Sequence, residues 1–400
     1  MSANRRRSYI LLSLFMFAYF AAQALCMSLL SNWLKSTLGL TGAQTGVVFT
    51  ANFAAALCAQ PLYGFISDKV GLRPYVLVFL TGLIGLCGVF FHFVYAPLLK
   101  ANLLLGAAAG GLYLGVTFVS GAFALESFCD RVGRRFGFEY GRVRMWGSLG
   151  YAFAAFFTGN LFNLNPDLDF YLASGTAVIL LGVLWLFRVE ADIDDQQAAT
   201  LGIADALALL RQPKFWRFMV LILGVTNLYL VYDQQFPVYF ASQFATPELG
   251  RVMFGRLASA QIFVEAAMLF AAPFFVDRVG IKRSLLLAAA IMIVRIGGSG
   301  LVAGPVAISA MKMLHSLELP ILLVALFRYI AAHFDSRLAS TLYLVGVSFG
   351  HSLGLVILSP LAGKGYDLIG FAHTYLIIAA GASIFWIASW GALAPDPANR

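Results

Sequence analysis

Residues 312–318 read KMLHSLE, inside the otherwise apolar run AISAMKMLHSLELPILLVALF. At three-residue spacing Lys312, His315 and Glu318 share one slanted stripe of a helix. Five more ionisable residues, Glu126, Arg144, Asp233, Glu265 and Arg295, stand in similarly apolar text. Each costs about 2.5–3.5 kcal/mol at the centre of a membrane helix on insertion scales, so each is a functional candidate by default. The competing reading is a set of buried ion pairs that only hold helices together, with Asp233 and Lys312 the best case. Four carboxylates (Glu126, Asp233, Glu265, Glu318) face three permanent cations (Arg144, Arg295, Lys312), with His315 neutral. An unpaired buried charge is prohibitive, so one carboxyl is expected to keep its proton at neutral pH. Glu318, flanked by leucine, proline and isoleucine, is the expected holder, with Arg295 a partner able to draw the proton off. His315 or another acid of a coupled network can share it.

Twelve stretches must position these groups. The chain has 400 residues, 60% hydrophobic and 12% charged, about half the charged share of a soluble protein. Crossing the ~30 Å core of a bilayer takes about 20 apolar residues in a helix. Such runs occur near 8–33, 43–67, 74–98, 101–128, 140–163, 169–187, 215–240, 252–276, 284–303, 306–332, 339–363 and 371–394. An all-α polytopic membrane protein is expected. The opening MSANRRRSYILLSLFMFAYF lacks an obvious cleavage site and reads as a retained first helix. Four cysteines (Cys26, Cys58, Cys87, Cys129) show no metal-ligand spacing and read as small buried hydrophobes rather than disulfides.

The formal charge of +8 does not require nucleic acid or an anionic substrate. With both termini in the cytoplasm, nineteen of the 27 Lys and Arg fall in the termini and loops of that side. Five (Lys35, Lys100, Arg251, Arg256, Lys364) fall on the other and three within spans. That bias follows the positive-inside rule.

Between the sixth and seventh runs lies RVEADIDDQQAATLGIADALALLRQPK (188–214), the longest polar interval. It predicts an N-terminal six-helix bundle over 1–187, a cytoplasmic linker with a short amphipathic helix over 188–212, and a C-terminal bundle over 213–400. A weak repeat supports the division: GFISDKVGLRP (64–74) follows the second run and FFVDRVGIKR (274–283) the eighth. Glycine permits the close reversal, while the acid can bind a neighbouring helix end. Repeated halves with a site between them are a transporter architecture. The first copy resembles the loop motif of the major facilitator superfamily, matching at Gly64, Asp68, Lys69, Gly71 and Arg73. The resemblance implies a part that stabilises and gates the cytoplasmic side.

FGFEYGRVRMWGSLGYA (136–152), YLVYDQQFPVYF (229–240), IMIVRIGG (291–298) and KMLHSLELP (312–320), with QPLYGFISDKVGLR and LLRQPKFW, resemble the oligosaccharide:proton symporters, the lactose and sucrose permease family. The resemblance runs from about residue 10 to 390. It implies two pseudo-symmetric six-helix bundles and a monomer in the bacterial inner membrane. It makes Glu126 and Arg144 the principal sugar clamp, with Ser148 and Tyr151 on the same face. Glu265 becomes the sugar carboxylate of the second half, beside Gln261, and Asp233 pairs with Lys312. Arg295, His315 and Glu318 form the proton-coupling set, with His315 linking it to sugar. A guanidinium offers several donors to adjacent hydroxyls, and a tyrosine ring can stack on a sugar face or simply pack.

Departures narrow the substrate. Lactose permease has tryptophan at the Tyr151 position and its second-half glutamate at Ile262; Gln261 with Glu265, and tyrosine, match sucrose permease. Sucrose permease has aspartate in place of Glu126. A second Asp–Lys pair of lactose permease corresponds to Leu230 and His351, so both charges have gone together. His351 is then either a satisfied core histidine or a residue of the cavity wall.

The expected function is proton-coupled import of a disaccharide, sucrose first, with the proton as co-substrate and neither cofactor nor metal. Lactose, melibiose, raffinose or maltose are alternatives, and a drug or nucleoside carrier of the same superfamily is a weaker one. No phosphate loop, nucleophile elbow or metal-ligand cluster suggests an enzyme.

Overall fold

The computed structural model describes residues 3–187, 211–334 and 349–396, and among them every regular element is helical. Helices satisfy their own backbone groups, which lipid cannot do. They are α1 (Arg5–Ser36), α2 (Gly42–Val70), α3 (Tyr75–Gly85 and Cys87–Ala101, bent by 46°), α4 (Leu103–Phe136) and α5 (Tyr140–Leu164). There follow α6 (Leu168–Leu186), α7 (Pro213–Ala241), α8 (Pro247–Val279), α9 (Ile281–Leu301) and α10 (Pro305–His333). The last helix, Phe349–Ala392, is broken at Gly370 (φ 79°, ψ 168°) into α11 (349–369) and α12 (371–392). Only glycine adopts that backbone without strain, and the turn falls between the eleventh and twelfth predicted runs.

The described parts of all twelve predicted runs fall on these helices, although only nine helices pass by length and hydropathy alone among the described residues, ten with bent α3. α5 is long enough but carries Arg142, Arg144, Asn160 and Asn163. The eleventh run, predicted from 339, is described only from Phe349 and continues past 363. The predicted linker lies outside the described residues except for Arg211 and Gln212.

Local chemistry sets the ends. Thr41 and Gln44 form a capping box at the start of α2, and Thr246 accepts from the Leu249 N–H at the start of α8. Each satisfies an orphan N–H of the first turn. Leu104, Val178, Trp185, Phe270, Phe274 and Ile384 stand more than two-thirds exposed, an apolar coat suited to lipid.

The helices form two bundles, α1–α6 and α7–α12, and they meet at one end. Where α2 starts, a methyl group on Gly46 would collide with the Ser359 carbonyl of α11, and one on Gly363 with the Gly42 carbonyl. Where α5 ends, Gly159 abuts the Arg251 backbone of α8. One apolar core runs through this seam, joining Val48 and Phe162 to Phe236, Phe254 and Ala362. At the end carrying the termini, α7–α12 keep a separate core around Phe218, Leu285 and Tyr329. Polar ties there within a bundle include Arg131 to the Ser67 carbonyl (2.9 Å), Lys214 to the His333 carbonyl (3.1 Å), and Arg328 to Asp277. The molecule is closed at the end opposite the termini.

Candidate functional site

In the first bundle Arg144 of α5 donates from Nε to Glu126 Oε1 of α4 at 2.6 Å and from Nη1 to Ser148 Oγ at 3.3 Å. Its guanidinium lies 4.2 Å from the centre of the Phe20 ring, and the Tyr140 hydroxyl lies against the same glutamate. The pair is only part-buried, with side chains 33% and 26% exposed, so donors and acceptors remain for a ligand. Tyr151, partly exposed, sets its hydroxyl beside Ser28 and lies within electrostatic reach of Asp233.

The second bundle holds a chain of five charged or titratable groups. Lys312 Nζ donates to Asp233 Oδ1 at 2.7 Å, and Arg295 Nη1 donates to the same oxygen at 3.1 Å. Arg295 Nη2 reaches Glu318 Oε1 at 2.8 Å, and His315 Nδ1 lies 2.8 Å from that oxygen. Arg295 and Glu318 are fully buried. The stripe of Lys312, His315 and Glu318 therefore forms as its spacing predicts, with Asp233 and Arg295 closing it from α7 and α9. The rings of Tyr232 (4.8 Å) and Tyr229 (5.5 Å) flank the Arg295 guanidinium, a favourable cation–π setting away from water.

The cations are shared unevenly among the four carboxylates. Glu318, the expected bearer of the surplus proton, has a cation and a histidine on one oxygen, while its Oε2 is buried with no partner. Glu126 has Arg144, and Asp233 has Lys312 and Arg295. Glu265 is the carboxylate of the four with no Lys or Arg at ion-pair distance among the described residues. It interacts with the Gln261 amide and lies within electrostatic reach of His315, Lys312 and Arg144. Gln261 is 7% exposed and keeps a buried carbonyl oxygen without a partner. Which acid lacks a cation depends on the positions of α7 and α9, which a sequence does not state. Glu265 is thus within electrostatic reach of both the Arg144 pair and the Lys312–His315 stripe.

His351 makes a 2.6 Å bond to Thr226, which lies 2.5 Å from the Ile222 carbonyl. This favours the satisfied core histidine. The cysteines are free, with Cys26 and Cys87 Sγ atoms 2.9 Å apart; Cys58 corrects the expectation of burial, since it faces outward on α2. In the loop motif Gly64 and Lys69 are exposed, Gly71 ends α2 at φ 60°, and the Arg73 N–H donates to the Val70 carbonyl. The Asp68 side chain is outside the described residues. Phe20, Tyr140, Tyr229 and Tyr232 went unnamed in the sequence reading. Only YLVYD, with its tyrosines adjacent to and one turn before Asp233, carried a readable signal.

Among the described residues, twelve helices in two bundles, with polar and charged groups buried or part-buried within them, define a multi-pass carrier of the major facilitator fold. A solved nucleoside transporter, NupG, shares that fold at TM-score 0.80 and 16% identity, covering 96% of this chain and 98% of that one. The family model described as LacY proton/sugar symporter matches residues 1–396, and the chain belongs to that family. It is 38% identical to raffinose permease of Escherichia coli over 94% of this chain and 90% of that protein. Against melibiose permease of Enterobacter cloacae the identity is 39% (93% and 89% covered), and against sucrose permease of Escherichia coli 36% (94% and 91%). These are transporters, not enzymes, and identity over the whole chain does not rank one sugar above another.

Proposed function

We propose that this proton/sugar symporter imports a disaccharide, sucrose first, across a bacterial inner membrane, with another oligosaccharide (lactose, melibiose, raffinose or maltose) as the alternative. Both termini are then cytoplasmic, the chain works as a monomer, and its bundles divide at 1–187, 188–212 and 213–400. The observation that carries this reading is that Glu265 lies within electrostatic reach of both the Glu126–Arg144 clamp and the charged chain of α10. A sugar held by Glu126, Arg144, Ser148 and Tyr151 on one side, and by Gln261, Glu265 and His315 on the other, touches both bundles. Its occupancy then bears on His315 and, through it, on Glu318. Glu318 carries the coupled proton, its unpartnered Oε2 offering the place, and Arg295 draws that proton off when it pairs with Oε1. Asp233 and Lys312 hold the chain in register. Coupling follows from different affinities of the two openings for sugar and proton. Sucrose comes first because the Gln261–Glu265 pair and Tyr151 resemble the sucrose permease pattern; the neutral Leu230 and His351 are compatible with any of these sugars. A polar clamp in place of a wide aromatic pocket disfavours a carrier of hydrophobic cations.

The test is sugar-induced alkalinisation outside right-side-out vesicles, run over a panel of disaccharides. Sucrose is expected to give the largest signal, Arg144→Ala none, and Glu318→Gln exchange without uphill accumulation. Uptake without proton movement rejects symport; a larger response to another sugar rejects sucrose; accumulation by Glu318→Gln removes Glu318 from coupling.

A further inference from the structure

The three residues after an aspartate recur in one form at three helix ends. SDKVG (67–71) ends α2, VDRVG (276–280) ends α8, and YDLIG (366–370) ends α11. All three glycines have positive φ: 60° at Gly71, 93° at Gly280 and 79° at Gly370. The first two copies sit at the end carrying the termini, and Asp277 pairs there with Arg328 of its own bundle. The third sits at the closed end and reaches across. Asp367 Oδ1 accepts from the Gly42 N–H at 2.7 Å and Oδ2 from the Ala43 N–H at 2.8 Å. Both donors belong to the first turn of α2, where the partial positive charge of the helix is concentrated. Gln235 Nε2 donates to the Gly42 carbonyl at 2.9 Å, so the same residue is held from α7 as well. Gly42 and Gly363 allow the backbones to approach closely enough for the carboxylate to span the gap.

A second contact occupies the related place. If the bundles are superposed in helix order, α11 corresponds to α5 and α2 to α8. At the end of α5, Asn163 Nδ2 donates to the Glu248 carbonyl in the first turn of α8 at 2.9 Å, and its Oδ1 accepts from Arg251 Nε at 2.8 Å. Arg251 Nη2 in turn holds Glu248 Oε1 at 2.9 Å. Thus a side chain at the end of one helix grips the start of another in the opposite bundle, twice, once charged and once neutral.

We infer that Asp367 is the charged half of a two-point clasp that holds the end opposite the termini closed, and that its release from the first turn of α2 accompanies opening of that end. The clasp belongs to neither sugar nor proton chemistry. It rests on the alternating-access reading of this carrier, but not on the sugar or on Glu318. A carboxylate with two backbone donors stabilises the closed end, and an amide in its place can keep at most one acceptor and no charge.

The experiment places a cysteine reporter at Thr45, which is buried and lines a cavity of about 330 Å³ beside the clasp with Gln235 and Tyr366. A second reporter at Gly141, exposed with no neighbour within 4 Å near the start of α5, reads the other end. Both are made separately in a chain with its four native cysteines replaced. Labelling by a polar maleimide is followed without sugar or proton gradient, so failure here is distinct from failure of the transport reading. Asp367→Asn is expected to speed labelling of Thr45→Cys about fivefold, the equivalent of losing one favourable helix-end interaction, and to slow that of Gly141→Cys. Asp367→Glu should restore part of the effect. Since Asp367 is exposed and the amide has the same shape, thermal stability in detergent should be retained. An unchanged rate at Thr45→Cys overturns the clasp. So does faster labelling at both reporters, which would mean a loosened fold.

Discussion

Asp233 is shared. One of its oxygens accepts from both Lys312 and Arg295, so loss of either cation leaves it the other. Removing one partner of a buried pair costs about 3–5 kcal/mol when the other is left alone. Asp233→Asn strands Lys312 beside an arginine and should approach that figure. Lys312→Met leaves Asp233 with Arg295 and should cost about 1 kcal/mol, near the worth of a single net hydrogen bond. Melting in detergent, as a double-mutant cycle with the combined variant, measures the difference; equal losses would refute the shared arrangement. At this scale the sequence showed which residues were expensive and that one acid exceeded the cations. It did not show that Arg295 would sit between Asp233 and Glu318, because the lateral order of three helices carries no local signal.

Among the elements, α5 is the most revealing. Its polar residues fail a simple hydropathy test, yet it spans because small residues let it lie tightly on α1. A Cβ at Gly150 would run into the Phe17 carbonyl. Such close backbone approach is the usual source of attraction between membrane helices, where water supplies no hydrophobic drive. Gly150→Ala is expected to destabilise by about 1–3 kcal/mol, the usual cost of overpacking. Gly141→Ala, on the same helix with nothing within 4 Å, should be neutral or mildly stabilising, since alanine is the better helix former. Detergent melting of the two variants separates packing from propensity, and a similar response in both would argue against the contact. Helix positions were readable from runs of about twenty apolar residues. The break between the eleventh and twelfth runs was readable from KGYDLIG (364–370), whose Lys364 and Asp367 interrupt the apolar text, but not that Gly370 alone would carry the turn.

For the whole molecule the decisive fact is asymmetry. The bundles share a core at one end, and at the other α7–α12 keep one of their own. A carrier must exchange this arrangement for its opposite. The Thr50 hydroxyl of α2 donates to the Val356 carbonyl of α11 at 3.1 Å in the shared end. Thr50→Cys with Val356→Cys, bridged by a short bifunctional maleimide, should abolish transport in vesicles while leaving sugar binding from the terminus side intact. Undiminished transport in the bridged protein would show that this seam need not open.

By itself the sequence determined the membrane as solvent, the number and rough extent of the helices, the repeat between halves and the identity of the costly buried groups. Each of these is fixed by transfer energy or by spacing along one helix, quantities local to the chain. Only the tertiary structure decided that Glu265 rather than Glu318 lacks a cation, that His351 is satisfied by Thr226, and that Asp367 grips α2 from more than three hundred residues away. Those depend on which helices lie side by side and which end is shut, and a hydrogen bond between distant helices leaves no period or composition to read.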